Sequence, residues 1–294
     1  MRQSISNGVI TLFRYSVIIL LLTSCEKPIL TEGYDESGNV TLTFSPSTGD
    51  MRSTVAIGDY FQKLNIMLFD EDGNRVFEKV RTQLREDDDF GRLNLSLSPG
   101  TYSVVAVGHS SAKSATIKST EMVQFTASDG EKLTDTFCHY SVIEVTDDPE
   151  QHDLLLRRVG AMIQFSLTDE QVPESFARLK IEYTGGSANF NPQTFEGTTK
   201  SSQSEMRQAH AGGVYQVFTF PYQSETCSLR MTLTALDADG NTIRSRVFDA
   251  VPVTRNRATV YTGHFFEPGD GQFTQTAFGF TINGEWEGTD EYEF

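Results

Sequence analysis

Cysteine, tryptophan and histidine are scarce in this chain: 294 residues hold 3 Cys, 1 Trp and 5 His. No apolar stripe at helical spacing is sustained over three turns. The histidines lack a pairwise metal spacing such as H-x-x-x-H, which argues against a metal centre. Neither G-x-G-x-x-G nor a phosphate loop occurs, so nucleotide chemistry has no cradle. The nearest approach to a nucleophile elbow is Gly108-His109-Ser110-Ser111-Ala112. It ends in Ala112 where the motif needs Gly, and no strand-turn-helix pattern surrounds it. Together these absences lead us to expect no catalysis, no cofactor and no resident metal.

Positive charge is short as well. The chain carries 24 Lys+Arg against 40 Asp+Glu, a net charge of −16. Phosphate backbones and anionic lipid headgroups repel such a chain, which excludes nucleic acid as a partner.

What the sequence does have begins at its start. Arg2 and Arg14 precede the apolar run Tyr15 to Leu22, followed by Leu22-Thr23-Ser24-Cys25. A basic start, a short apolar core and small residues before a cut mark an export leader, and the core is too short to span a bilayer. A Cys directly after Thr-Ser is the mark of a lipoprotein, in which the thiol is acylated and the leader removed. We therefore read residues 1–24 as signal peptide and Cys25 as the lipidated first residue of the mature chain. More than one acyl chain on one Cys suffices for stable anchoring without a peptide span. Losing the leader leaves 22 Lys+Arg against 40 Asp+Glu and moves the net charge to −18.

Cys138 and Cys227 are the remaining thiols. Export permits a disulfide between them, whereas lone cysteines commonly serve as small buried apolar residues, so both readings stand. Beside Cys138 lies His139, but neighbours on a strand face opposite ways, a poor geometry for catalysis.

Residues 25–38 are polar, with Pro28 and two glycines, and read as a tether. Beyond them, apolar residues alternate with a period of two: Val40, Leu42, Phe44; Leu64, Ile66, Leu68; Leu93, Leu95, Leu97; Tyr102, Val104, Ala106. The pattern resumes at Ala161, Ile163, Phe165, Leu167, then Leu179, Ile181, Tyr183, then Leu229, Met231, Leu233, Ala235. This is strand patterning, so the fold class is all-β. Leu68 to Phe77 and Ala235 to Arg244 each carry D-x-D-G-N between apolar runs, where Asp-Gly and Gly-Asn supply the positive φ that a tight hairpin needs. The same residues open a calcium loop, but the sixth positions are Arg75 and Thr242 instead of Gly, and strands flank them, so hairpin turns are expected. Glu86 to Asp89 reads as a solvated acidic loop.

Thr146 to Glu150 is charged and broken by Pro149, which places a domain boundary near Gln151. Residues 39–150 and 151–294 then each have the size of a β-sandwich. Trp286, near the end, serves either as a strand anchor or as a platform for a sugar ring.

Four segments in order carry a resemblance: KLNIMLFDEDGN from Lys63, SPGTYSVVAV from Ser98, LRRVGAMIQFSL from Leu156 and VPVTRNRATVYTGHF from Val251. With the lipoprotein start, they resemble the fimbrial subunit family of type V pili in Bacteroidia, especially its anchor and fimbrillin-like members. The resemblance spans nearly the whole mature chain. It implies two tandem transthyretin-like β-sandwich domains, no catalysis, and partners that are other fimbrial subunits engaged by β-strand exchange at the outer membrane. In stalk subunits of that family an arginine-specific protease removes the N-terminal segment. Arg52 lies between the first two strands and is the candidate for that cut, the bland alternative being a solvated loop residue. The expected function is a lipid-anchored anchor or assembly subunit. A stalk or tip subunit cut near Arg52, and a surface glycan-binding lipoprotein, are the alternatives.

Overall fold

The computed structural model describes residues 38–47, 56–126, 133–210, 212–266, 286 and 288–293. Cys25 and Arg52 lie outside these residues, as do Phe278, Phe280 and Ile282, whose alternation in the sequence reads as either a closing strand of this chain or a donor strand. Among the described residues the regular structure is β apart from one 3-10 turn at Ile57–Asp59.

The first half contains β1 (Val40–Pro46), β2 (Lys63–Phe69), β3 (Arg81–Leu84), β4 (Arg92–Leu95), β5 (Gly100–His109), β6 (Thr116–Ser119), β7 (Met122–Gln124), β8 (Phe137–Val145) and β9 (Glu150–Arg158). Seven of these follow the order β3-β2-β5-β8-β9-β1-β4. The ladder is nearly broken between β8 and β9, which share only the pairs Phe137↔Arg158 and Cys138↔Arg157. Two layers result, β3-β2-β5-β8 and β9-β1-β4. The alternating residues of β1, β2, β4 and β5 turn inward, with Val40, Leu42, Leu64, Ile66, Leu68, Val104 and Ala106 fully buried. That matches a half-buried strand, whose alternate side chains face one side.

The second half holds β10 (Ala161–Leu167), β11 (Arg178–Ser187), β12 (Asn189–Phe190), β13 (Lys200–Gln208), β14 (Val214–Thr219), β15 (Thr226–Leu236), β16 (Thr242–Thr254), β17 (Arg257–Gly263) and β18 (Gly288–Glu293). One sheet runs β14-β10-β17-β18, the other β13-β11-β15-β16. Their inner faces form one core containing Ile163, Phe165, Leu179, Ile181, Tyr183, Met231, Leu233 and Phe248. Both halves are thus β-sandwiches in architecture.

Local patterning leaves three features hidden. First, β9 runs parallel to β1 from Val40↔Glu150 to Pro46↔Leu156. Residues 151–158, which the linker reading sets in the second half, therefore pair within a first-half sheet, and sheet membership changes at Val159–Gly160. Second, β2 and β5 are buried on both faces: Asn65, Met67, Val105 and Val107 have no exposed surface. Third, the halves pair through backbone. β12 joins β7 and β6 in a small sheet, with Asn189↔Gln124 and Phe190↔Val123 in register.

The two D-x-D-G-N turns are near copies. The Asn74 amide donates to Asp70 Oδ1 at 2.7 Å and its Nδ2 to Oδ2 at 3.2 Å. Asn241 does the same to Asp237 at 2.7 and 2.9 Å. Gly73 and Gly240 supply φ of +79° and +92°. In both turns the first Asp binds its own loop, which is the role of a hairpin residue.

Candidate assembly surfaces

A β-sandwich that assembles with other chains does so through its strand edges and whatever covers them. Two strands are central to that question here.

The first is β1. It lies between β9 on one side and β4 on the other, pairing with β4 from Val40↔Leu95 to Thr43↔Arg92. Val40 and Leu42 are fully buried and Phe44 nearly so. Removing this strand would open a slot lined by apolar side chains, with ladder groups unpaired on both banks.

The second is β18, which extends the β17 edge in parallel from Arg257↔Gly288 to Thr262↔Glu293. Tyr292 stacks on Tyr261 with centroids 4.7 Å apart, and Arg257 Nη2 reaches Asp290 Oδ1 at 3.0 Å. Asp290, Glu291 and Glu293 give this outermost strand an acidic rim. Charge on an edge discourages unplanned pairing. Edge strand β16 carries inward arginines instead: Arg244 Nη1 donates to the Phe266 carbonyl at 2.5 Å, and Arg246 lies over the Phe265 ring.

Trp286 precedes β18 and is packed. The Arg158 guanidinium lies 4.2 Å from the centroid of its ring and 4.7 Å from that of Phe137. Arg158 Nε also donates to both Asp135 oxygens, at 2.8 and 3.0 Å, and its Nη1 donates to Asn256 Oδ1 at 3.3 Å. Burial pushes the Asp135 carboxyl up while Arg158 opposes the shift. Arg158 ends β9, so this cluster clamps the C-terminal segment to the junction of the halves. The geometry favours the anchoring reading of Trp286 over the sugar platform.

The enzyme-like motif dissolves into packing. A Cβ on Gly108 would come within 2.4 Å of the Phe61 ring, so Gly108 is there for close approach. His109 is buried: Nδ1 accepts from the Ser111 amide at 3.1 Å, which leaves Nε2–H to donate to Asn65 Oδ1 at 2.8 Å. Burial, assisted by nearby Lys63, lowers its pKa to about 3. A neutral, fully occupied imidazole holding a loop is what remains. Acidic Glu86 to Asp89 likewise serves its own turn, Asp87 accepting from the Leu84 amide at 2.7 Å. Cys138 and Cys227 are free thiols, Cys138 buried in the core, and desolvation raises the pKa of both. Among the described residues no cluster of His, Cys, Asp or Glu could hold a metal ion, and no helix is long and apolar enough to cross a membrane.

The sequence matches a family model described as fimbrillin-A associated anchor proteins Mfa1 and Mfa2 over residues 24–290. No curated protein matches it. Among solved structures the chain is similar to the fimbrial anchor protein Mfa2 from Porphyromonas gingivalis, with 12% identity, TM-score 0.40, and coverage of 70% of this chain and 80% of that one. It is also similar to a fimbrial assembly protein from Parabacteroides distasonis, with 14% identity, TM-score 0.40, and coverage of 76% of this chain and 89% of that one.

Proposed function

The chain belongs to the Mfa2 family of fimbrillin-A associated anchor proteins, and we propose that it is a lipid-anchored subunit that fastens a fimbrium to the outer membrane. Acylated Cys25 holds the chain, residues 26–38 space it from the surface, and the two sandwiches dock other fimbrial subunits. The observation that carries this reading is the family match, which runs over residues 24–290 and so takes in Cys25, all of β1 to β17 and the start of β18. The work is mechanical: a lipid at one end, paired strands through the body, another subunit beyond.

Tandem transthyretin-like domains fit the internal repetition. Each half opens with a strand parallel to a late one, β1 with β9 and β10 with β17, and each carries a D-x-D-G-N hairpin. Strand exchange with a neighbouring subunit is the mode of docking we favour, because it satisfies ladder groups and fills an apolar slot together. For an anchor, β1 stays in place and the chain is not cut at Arg52. Its central position supports retention: loss of β1 would separate β9 from β4 and expose Val40, Leu42 and Phe44's contacts at once.

Replacing Cys25 with Ser removes the acylation site and leaves every described residue untouched. The full chain is then expected in the soluble export fraction, with fimbriae shed into the medium. Retention of the Cys25→Ser chain in outer membranes would contradict lipid anchoring.

A further inference from the structure

The free edge of β14 is an anomaly among the strand edges. Its sequence, Val-Tyr-Gln-Val-Phe-Thr, has no charge, no proline and a half-exposed Val214 (40%). Such an edge is a template for pairing with another chain. On its inner side it pairs with β10 from Val214↔Ser166 to Thr219↔Ala161. In an antiparallel ladder alternate residues bond inward, and the others direct their carbonyls and amides off the edge. The Leu167 amide bonds the Gly213 carbonyl, which sets the phase: odd positions face β10, while 214, 216 and 218 face away.

Each outward carbonyl is met by a side chain. His210 Nε2 donates to the Val214 oxygen at 2.9 Å, Arg207 Nη2 to the Gln216 oxygen at 3.1 Å, and the Tyr183 hydroxyl lies 2.8 Å from the Phe218 oxygen. The donors are themselves tied together. Glu205 is buried (4% exposed), its Oε1 lies 2.8 Å from the Tyr183 hydroxyl, and its Oε2 accepts from Arg207 Nη2 at 2.5 Å. The Val214 and Gln216 acceptors are thus occupied by donors from the loop after β13 and from β13, and the single Tyr183 hydroxyl hydrogen, from β11, is shared between Glu205 and the Phe218 oxygen.

We propose that Tyr183, Arg207 and His210 latch the β14 edge against strand addition, and that the partner held off is a second copy of this chain pairing β14 to β14. An antiparallel pair centred on Gln216 would set Gln216 opposite Gln216 and Val214 opposite Phe218, using the three carbonyls that the latch occupies. Tyr215, Val217 and Thr219 would keep facing the two cores. The pairing is self-complementary, as a two-fold contact must be. Resting on the anchor reading only for its purpose, the latch keeps crowded membrane-bound copies apart, so that pairing is left to other surfaces.

The test uses the mature chain with Cys25 and Cys227 replaced by Ser and with Gln216→Cys. In the β14 pair the two new thiols sit on opposed residues about 5.5 Å apart between Cα atoms, within disulfide reach. Oxidation at micromolar protein should give little crosslinked dimer with the latch intact. Arg207→Ala with His210→Ala should raise the dimer about tenfold. Should that pair of changes unfold the chain, His210→Ala alone, at an exposed residue, and Tyr183→Phe, which removes only a hydroxyl, carry the test. Equal crosslinking with and without the latch would overturn the proposal, as would no increase in a released variant with unchanged circular dichroism.

Discussion

Leu42→Ala should destabilise the first half by about 3 kcal/mol, and Leu42→Asp should prevent its folding. Leu42 has no exposed surface and sits mid-strand in β1, opposite Leu93 on one side and His152 on the other. Truncation removes buried methyl groups and leaves a cavity between two layers that β1 itself joins. A carboxylate there would be desolvated without a partner. The control is Thr41→Ala, on the same strand but with its side chain on the outer face near Asn94, which should change stability by less than about 1 kcal/mol. Chemical denaturation of the mature chain reads both. A small effect at Leu42 would mean that β1 is dispensable to the folded state, as in a subunit designed to lose it.

The second large effect is a loss of stability in acid that traces to one residue. The pKa of His109 falls to about 3 in the fold, from an ordinary value of 6.5. Between these values the unfolded chain binds a proton that the native chain refuses, so stability rises with pH across this window. The contribution is fully present above pH 6.5 and is lost as pH falls toward 3. From pH 7 to pH 4 the expected loss is about 3 kcal/mol from this group alone. His109→Gln keeps a donor toward Asn65 but does not titrate, so its denaturation midpoint should fall less steeply over the same range. Parallel pH profiles for the two proteins would remove His109 from the account.

Much of this architecture is legible in the sequence, for physical reasons that also mark where legibility stops. Leu64, Ile66 and Leu68 announce a strand because one face of β2 meets a core. Asn65 and Met67 on its other face give no such signal, since what covers them comes from segments remote in sequence. The Asp-Gly-Asn turns are readable because their chemistry is local, and the structure repeats it in both halves. Parallel pairing of β1 with β9 is a contact between distant segments, and no turn residue encodes it. For that reason the linker reading sets Gln151–Arg158 in the second half, whereas β9 pairs with β1.

At the C-terminus the described strand runs Gly288–Glu293, whose Asp and Glu residues carry low strand propensity. It is held by its ladder with β17, by Tyr292 on Tyr261 and by Arg257 with Asp290. The β14 latch was equally hidden. Glu205 and Arg207 stand as ordinary charges on a polar strand, and only the fold brings Arg207 against the Gln216 carbonyl of β14, with Glu205 holding it there.

The central claim is that this chain keeps its lipid and its first strand. N-terminal analysis by mass spectrometry of the protein from native outer membranes tests it directly. The account predicts an acylated Cys25 on a chain that continues uncut through Arg52. A chain beginning at Ser53 in sheared fimbriae, or an unmodified Cys25 on soluble protein, would contradict it.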